Sequence, residues 1–263
     1  MHPNLIEFGK FALPTYGVLV ATGMVLGLII SVNLAKREGL NEDFAWNAGL
    51  TAIFSGMIGS KILLVFLDNE YTIRHPASLF TMGFVRSAGV WYGGLIGAVA
   101  GGLAYVAYKR MPLLDTLDAF VPGIALGHGI GRLGCFSAGC CYGRPTNEPW
   151  GVTFTNPLAN ALVGTPLGVR LHPTQLYEFG AEILLFAFLM WMWKRKQFSG
   201  QVFGTYAFLY GIIRFVVEFY RDDPGRGIAF GGAMSTTQLI SVFMVIIGGV
   251  MWLRRTPQMA TTV

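Results

Sequence analysis

Charged residues are scarce in this sequence. Asp, Glu, Lys and Arg make up only 13% of the 263 residues, whereas hydrophobic residues make up 53%. The charged share is about half that of an ordinary soluble domain. Residues 117–130 carry a single charge, Asp118, and about 20 such residues cross the hydrocarbon core of a bilayer. The composition excludes an ordinary soluble domain and predicts an integral membrane protein.

Features that would mark a second domain or a nucleic-acid partner are also missing. The sequence has no low-complexity segment, charge run or Pro/Gly/Ser-rich linker, and no patch of basic and aromatic residues of the kind that binds nucleic acid. The first apolar run lacks a basic segment before it and continues to Lys36, which is too long for a cleaved signal peptide. We therefore expect one membrane domain over residues 1–263, with its first helix retained.

Seven long apolar runs predict seven transmembrane segments. Each segment must be helical, because lipid offers no partner to unpaired backbone N–H and C=O groups. The expected fold class is an all-α integral membrane protein with a loop or head region on its outer face. The predicted spans lie near 14–35, 45–67, 87–108, 115–134, 176–193, 202–220 and 235–253.

The distribution of Lys and Arg predicts the orientation in the membrane. Basic clusters follow the first, third, fifth and seventh spans: Lys36-Arg37, Lys109-Arg110, Lys194-Arg195-Lys196 and Arg254-Arg255. Basic residues beside short loops favour the cytoplasmic side. The N-terminus is therefore expected outside and the C-terminus in the cytoplasm, with the longest connections, near 68–86, 135–175 and 221–234, on the outer face.

Glycines recur every four residues in the third and fourth spans, at 89, 93, 97 and 101 and again at 123, 127 and 131. This spacing is typical of closely packed helices. The run 127–134 has so many glycines that it is expected to end or break the fourth span at the outer interface, where its backbone N–H groups and Arg132 suit a phosphate.

Ionisable residues inside apolar spans are harder to explain by packing. Each costs about 2.5–3.5 kcal/mol at a helix centre unless it faces a polar cavity. The set comprises Lys61, His128, Arg132, Glu178, Glu182, Arg214 and Glu218. Structural ion pairing is one interpretation, since Arg214 and Glu218 stand four residues apart on one helix face. The alternative is a polar pocket in the membrane, near the outer ends of the fourth to sixth spans.

Residues 171–178 begin the fifth span. Pro173 and Thr174 are typical of a helix start, and the steps of three and four between Gln175, Glu178 and Glu182 place them on one inward face. His172 at this start suits a general base, although it also suits a plain hydrogen-bonding role.

These segments together resemble the prolipoprotein diacylglyceryl transferase family. The matching motifs run in order along nearly the whole chain: Tyr16-Gly17, Gly93-Gly94-Leu95-Ile96-Gly97, Gly131-Arg132-Leu133-Gly134-x-Phe136 closing at Gly143-Arg144, Pro149-Trp150-Gly151-Val152-x-Phe154, His172-Pro173-x-Gln175-Leu176-Tyr177-Glu178, Tyr210-Gly211-x-x-Arg214-Phe215-x-x-Glu218-Phe219-x-Arg221 and Gln238-Leu239-x-Ser241.

The resemblance implies an enzyme of the bacterial inner membrane that transfers the diacylglyceryl group of phosphatidylglycerol to the lipobox cysteine of a prolipoprotein signal peptide. A thioether forms and glycerol phosphate leaves. Besides membrane lipid, these two substrates are the implied partners, and no metal, nucleotide or redox cofactor is implied. The implied head-group residues are Arg132, Arg214, Tyr16 and Gly143, with Arg214 also acting in catalysis. The implied base for the thiol proton is His172, with Tyr92, Glu178 or Glu218 as alternatives.

Several positions depart from the family's pattern. Where the signature usually has Asn, Asn and Glu, this chain has Cys135, Ala138 and Cys140, and Tyr92 stands where the family often has a His. These departures motivate an alternative function, a non-catalytic membrane protein that binds phospholipid or signal peptides. A small-solute transporter is a third alternative, but the sequence has no detectable internal repeat.

All three cysteines, Cys135, Cys140 and Cys141, fall within seven residues on the expected outer side. Plain packing is one interpretation, and a disulfide from Cys135 to either neighbour is another, because that side is oxidising. A Cys135 nucleophile, or a zinc site completed by His128 or His172, is the remaining alternative.

Overall fold

A computed structural model describes residues 3–8, 11–81, 84, 89–222, 227–229 and 234–254. Within these residues the chain is mostly helical. In chain order the elements are β1 (Asn4–Phe8), β2 (Phe11–Pro14), α1 (Thr15–Arg37), α2 (Glu42–Leu67), α3 (Asn69–Arg74), a 3-10 helix (Pro76–Phe80), α4 (Trp91–Tyr108), α5 (Leu113–Ala138), β3 (Val152–Thr153), α6 (Pro157–Val163), β4 (Arg170–Leu171), α7 (Thr174–Trp193), α8 (Gln201–Glu218), β5 (Ile228–Ala229), β6 (Met234–Ser235) and α9 (Thr236–Arg254). The strands form three antiparallel pairs, β1 with β2, β3 with β4, and β5 with β6.

Seven helices in the described part of the chain contain 18 residues or more, and each overlaps one predicted span. Four of them, α1, α2, α7 and α9, are long and apolar enough to cross a membrane, which supports the expected all-α membrane protein. Membrane crossing by α4, α5 and α8 stays a prediction. Arg255 and parts of two expected outer connections, 82–83, 85–88, 223–226 and 230–233, lie outside the described residues.

The chain divides into two compact units, residues 1–34 with 117–263, and residues 35–116. In the second unit, α2 packs against α4 through the predicted glycines. A Cβ added at Gly97 would meet the Ser55 carbonyl oxygen, and it would lie 3.1 Å from the Cα of Gly59. Gly93 faces Gly59 in the same way. The prediction that glycine spacing marks close helix contact is therefore confirmed here.

In the first unit, glycines of α1 and α5 make the same kind of contact. A Cβ added at Gly23 would lie 2.6 Å from the Gly127 oxygen, and one at Gly27 would lie 2.6 Å from the Gly123 oxygen. The prediction that residues 127–134 end or break the helix is wrong, since α5 continues through Ala138. Close packing offsets the helix penalty of about 1 kcal/mol per glycine. Backbone N–H groups within this run therefore serve the helix and are not exposed for a phosphate.

Helices α5, α7 and α8 share an apolar core in the first unit. Its buried members are Val121, Ala125, Leu185, Leu189, Val202, Tyr206 and Tyr210. Helix α9 packs on α8, where the Trp252 indole Nε1 donates to the Thr205 hydroxyl over 2.9 Å. Within a membrane, van der Waals packing of these side chains and hydrogen bonds between the helices hold the helices together.

Asp118, near the start of α5, holds the start of α8. It is fully buried, and its two carboxylate oxygens accept hydrogen bonds from the backbone N–H groups of Gly200 and Phe203, each over 2.8 Å. The Lys196 ammonium lies 3.5 Å from the same carboxylate. Asp118 therefore satisfies two N–H groups that a helix start leaves without intrahelical partners.

Residues 139–173 form a small head between α5 and α7. Val152 in β3 pairs with Leu171 in β4, and Phe154 and Leu171 are buried beside Tyr142. The head also bonds to the end of α8, because the Arg144 N–H donates to the Tyr220 carbonyl over 2.8 Å. These bonds bring the end of α5, the start of α7 and the end of α8 together.

Candidate active site

Glu178 lies at the centre of a buried cluster of charged side chains in the first unit. It belongs to the first turns of α7 and is only 1% exposed. Its Oε1 accepts a hydrogen bond from Arg132 Nη2 over 2.8 Å, and the same oxygen lies 3.7 Å from His128 Nε2 and 3.8 Å from Arg214 Nε. One carboxylate oxygen therefore faces cationic or basic groups from two other helices.

The cluster is built from three pairs of residues, each pair one helical turn apart: His128 and Arg132 on α5, Glu178 and Glu182 on α7, and Arg214 and Glu218 on α8. Residues four apart share a helix face. The expectation that the α7 carboxylates point inward is confirmed, since Glu178 and Glu182 are both buried.

Two further contacts between side chains complete the cluster. His128 Nδ1 lies 2.8 Å from Glu182 Oε1, and Arg214 Nη1 lies 2.8 Å from Glu218 Oε2. The pairing of Arg214 with Glu218 was one sequence-based interpretation and is confirmed. The sequence analysis named His128 and Glu182 as ionisable residues within the spans but assigned neither of them a catalytic role. Their separation of 54 residues gave no signal that they meet.

Some polar atoms of the cluster lack a hydrogen-bond partner among the described residues. They include Arg132 Nε and Arg214 Nη1, which can donate, and Glu182 Oε2, which can accept. Gln175 Oε1, one turn before Glu178, can also accept. A buried donor without an acceptor costs about 1–3 kcal/mol, so an acceptor placed at Arg132 Nε would stabilise the cluster. Arg132 and Arg214 are 9% and 6% exposed, respectively. The cluster therefore contains two buried guanidinium groups of the kind that can bind an anion.

Two tyrosines of α8 form the apolar side of the cluster. Tyr210 meets the His128 ring edge to face, with centroids 5.4 Å apart, and stacks on Tyr206 at 5.5 Å. Tyr210 stands in a motif that the resemblance covers, but only the structure brings it to His128. Its ring restricts the orientation of the imidazole.

His172 lies in a separate aromatic group at the head. Its Nδ1 is 3.0 Å from the Tyr177 hydroxyl, which also accepts a hydrogen bond from the Trp150 indole over 2.8 Å. The His172 ring packs edge to face on Tyr220. These contacts fit the plain hydrogen-bonding interpretation, and a role as base stays a prediction.

The other predicted site residues have local contacts of different kinds. The Gly143 N–H donates to the His172 carbonyl over 3.0 Å, and a Cβ at Gly143 would lie 2.6 Å from the Tyr220 oxygen. Tyr16 is 42% exposed at the start of α1, with its ring against Gly134. Tyr92 lies in the first turn of α4, in the other unit.

The three cysteines are free thiols whose Sγ atoms all lie within 4.8 Å of one another. Neither His128 nor His172 belongs to this cluster, so the structure does not support the alternative of a zinc site with a histidine ligand. The disulfide alternative is not seen either, because all three cysteines are free. Hydrogen bonding with Cys135 and Cys140 holds the pKa of Cys141 well below its usual range, and Arg221 adds to this effect. Hydrogen bonding with the other two thiols raises the pKa of Cys140.

Comparison with known proteins gives a consistent result. The family model for prolipoprotein diacylglyceryl transferase matches residues 3–254. The chain is 39% identical to the phosphatidylglycerol–prolipoprotein diacylglyceryl transferase of Clostridium tetani over 249 residues, covering 94% of this chain and 95% of that protein. It is 34% identical to the second such transferase of Clostridium perfringens, covering 90% and 88%, and 32% identical to that of Pasteurella multocida, covering 95% and 91%. The chain belongs to the prolipoprotein diacylglyceryl transferase family.

Proposed function

We propose that this chain transfers the diacylglyceryl group of phosphatidylglycerol to the lipobox cysteine of a prolipoprotein signal peptide, forming a thioether and releasing glycerol phosphate. The chain is a multi-pass protein of the bacterial inner membrane. We propose further that it acts as one membrane domain of seven spans, with its N-terminus outside and its C-terminus in the cytoplasm. The Glu178 cluster then lies in the outer half of the membrane.

The observation that carries this proposal is the pair of buried guanidinium groups around Glu178. Arg132 and Arg214 both face one carboxylate oxygen, and Arg132 keeps an N–H without an acceptor among the described residues. A phosphate oxygen fits that donor, because arginine binds phosphate through several directed hydrogen bonds. We assign Arg132 and Arg214 to the head group, with Tyr16 and Gly143 lining the same site.

The reaction needs a thiolate and a stabilised leaving group. The acceptor sulfur attacks the diacylglycerol carbon that carries the phosphate, the C–S bond forms, and the C–O bond breaks with its electrons passing to glycerol phosphate. The leaving group gains negative charge in the transition state. Cations held in fixed positions stabilise the transition state, which carries this charge, more than they stabilise the ground state. We assign this role to Arg132 and Arg214.

A base must accept the thiol proton, since the thiolate is the nucleophile. The sequence favoured His172, with Tyr92, Glu178 and Glu218 as alternatives. The geometry favours His128. Its Nδ1 contacts Glu182 over 2.8 Å, which leaves Nε2 on the side of Glu178 and Arg132. A carboxylate that holds one imidazole nitrogen orients the other one for proton transfer.

A mass-shift assay tests the function. Purified protein in detergent is incubated with phosphatidylglycerol and a lipobox peptide, and mass spectrometry detects a diacylglyceryl group on the peptide. A peptide with serine at the acceptor position should gain nothing. Arg132→Ala should abolish the gain, whereas Arg37→Ala, which removes an exposed arginine, should not. Phosphatidylglycerol binding without any mass gain would refute the transferase and support the binding-protein alternative.

The same assay assigns the base. Removing a general base costs about 10²–10⁴ in rate. His128→Gln should therefore slow transfer at least about 100-fold, and His172→Gln should slow it far less. The reverse order would return the assignment to His172.

A further inference from the structure

The transfer reaction proposed above assigns no role to the cluster of Cys135, Cys140 and Cys141. Three thiols at the end of α5 and in the adjoining loop converge with their Sγ atoms within 4.8 Å of one another, and all three side chains are half-buried. Three sulfurs exceed what one disulfide uses. A single thiophilic cation, in contrast, uses all of them.

The spacing of the sulfurs suits such a cation. Zinc–sulfur bonds of about 2.3 Å place the sulfurs of a tetrahedral site about 3.8 Å apart. The observed limit of 4.8 Å therefore requires a contraction of about 1 Å at most, which side-chain rotation supplies.

The backbone around the cluster is held in place from α7. The Gln175 amide donates to the Cys140 carbonyl over 2.7 Å, and the Thr174 hydroxyl donates to the Cys141 carbonyl over 2.7 Å. Cys141 has a left-handed φ of 61°, a conformation that costs a non-glycine residue about 1–3 kcal/mol. These bonds hold the two neighbouring thiols in one loop geometry.

The thiol cluster adjoins the Glu178 cluster on the same two helices. Cys135 follows Arg132 by three residues on α5, and Gln175 precedes Glu178 by three residues on α7. Among the described His, Cys, Asp and Glu residues, no fourth protein ligand joins the three sulfurs. Zinc with three protein ligands keeps one position for a water or a substrate.

We infer that Cys135, Cys140 and Cys141 bind a zinc-class d¹⁰ cation whose fourth position takes the acceptor thiol of the lipobox cysteine. This inference rests on the proposed function and deepens it. A thiol bound to such a cation loses its proton, which passes to the base assigned above. The bound sulfur then attacks the diacylglycerol carbon as before, and three protein thiols release their protons when the cation binds.

Cobalt(II) substitution tests the site without relying on activity. Full-length protein in detergent is reduced, stripped of metal and titrated with Co²⁺, and the thiolate-to-cobalt charge-transfer absorption is recorded. One equivalent should bind. Cys135→Ser should weaken binding at least about 100-fold, because even second-shell changes at metal sites cost 10–100-fold. Ser137→Ala, which changes a hydroxyl on the same turn of α5, is the matched control. A wild-type protein without charge-transfer absorption would overturn the inference.

Adding the acceptor peptide tests the fourth position. The charge-transfer absorption should rise by about one third as thiolates increase from three to four, and a peptide with serine at the acceptor position should leave it unchanged. An unchanged spectrum with the cysteine peptide would overturn the substrate-ligand assignment.

The Arg132→Ala variant separates this inference from the transferase proposal. It should keep both spectral responses while it loses diacylglyceryl transfer. Full transfer by metal-free wild-type protein would overturn the inference and leave the transferase intact. If the wild-type protein shows both spectral responses but no diacylglyceryl transfer, the transferase proposal is overturned and the metal site remains.

Discussion

Replacing Asp118 with alanine should strongly destabilise the first unit. The substitution removes two 2.8 Å hydrogen bonds from the N–H groups of Gly200 and Phe203 to an ionised acceptor, each contributing about 1.5–3 kcal/mol. It also removes a carboxylate 3.5 Å from Lys196, whose side chain is only 6% exposed. Breaking a buried charge pair by removing one partner costs about 3–5 kcal/mol. Because these contributions overlap, we expect a total loss of about 3–5 kcal/mol.

Thermal unfolding in detergent, followed by far-ultraviolet circular dichroism, measures this loss. A change of 1 kcal/mol shifts Tm by about 2–4 °C in a protein of this size, so Asp118→Ala should lower Tm by about 6–20 °C. Asp118→Asn keeps one acceptor oxygen and should lower Tm by less. Asp43→Ala is the matched control, because Asp43 is exposed in the first turn of α2 and contributes at most about 1 kcal/mol there.

The double variant Asp118→Ala/Lys196→Met isolates the charge pair. With the ammonium removed as well, the Lys196 charge no longer faces the vacated position, so the double variant should be more stable than Asp118→Ala alone. If Asp118→Ala unfolds at the same temperature as Asp43→Ala, the assignment of Asp118 as the cap of α8 is refuted.

Three further predictions concern other contacts. Gly97→Ala should lower Tm and Gly102→Ala should leave it unchanged or raise it, because a Cβ at Gly97 meets backbone of α2 whereas one at Gly102 lies 3.5 Å from a methyl group; equal Tm values would contradict this. Glu178→Gln should lower Tm by about 6–20 °C, as it leaves buried guanidinium groups without their shared carboxylate, while Glu148→Gln on the exposed head should not. Gly143→Ala should reduce diacylglyceryl transfer in the mass-shift assay, since its methyl group would collide with backbone at the end of α8; full transfer would remove Gly143 from the site.

Local patterns in the sequence were sufficient to predict the positions of the long helices. Apolar runs located all seven, and the Pro173-Thr174 pair predicted the start of α7. Four-residue glycine spacing predicted close helix contact in the third span, and the structure shows α2 as the partner of α4 there. These features depend on neighbours along the chain and on one repeating period, so no knowledge of distant residues was needed.

The end of α5 could not be predicted in this way. Glycine propensity alone predicted a break at 127–134, but Gly123 and Gly127 pack against glycines of α1 about 100 residues earlier in the chain. Propensity describes an isolated helix, whereas close contact between two helices depends on the tertiary fold. The misplaced end also predicted exposed backbone N–H groups beside Arg132, whereas these N–H groups lie within α5 in the structure.

The pairing of buried charges was only partly predictable for the same reason. Arg214 and Glu218 are four residues apart, and the sequence showed their contact directly. The contact of His128 with Glu182 spans 54 residues, and that of Asp118 with Gly200 spans 82. Ionisable residues inside apolar spans indicated that each has a polar partner. Many pairings are compatible with the same composition, however. Only the antiparallel order of α5, α7 and α8 determines which residues pair.

That order also explains why the two ends of these three helices differ chemically. At one end both oxygens of Asp118 accept backbone hydrogen bonds, so the carboxylate is used for holding α8. At the other end Glu178 shares one oxygen among several basic groups, while Arg132 Nε and Glu182 Oε2 keep unused hydrogen-bonding capacity among the described residues. A buried donor or acceptor without a hydrogen bond lowers the stability of the protein unless a ligand provides the missing partner. We propose that a phosphate head group accepts the hydrogen bond that Arg132 Nε can donate at the Glu178 end, whereas both oxygens of Asp118 at the other end are already used to hold α8.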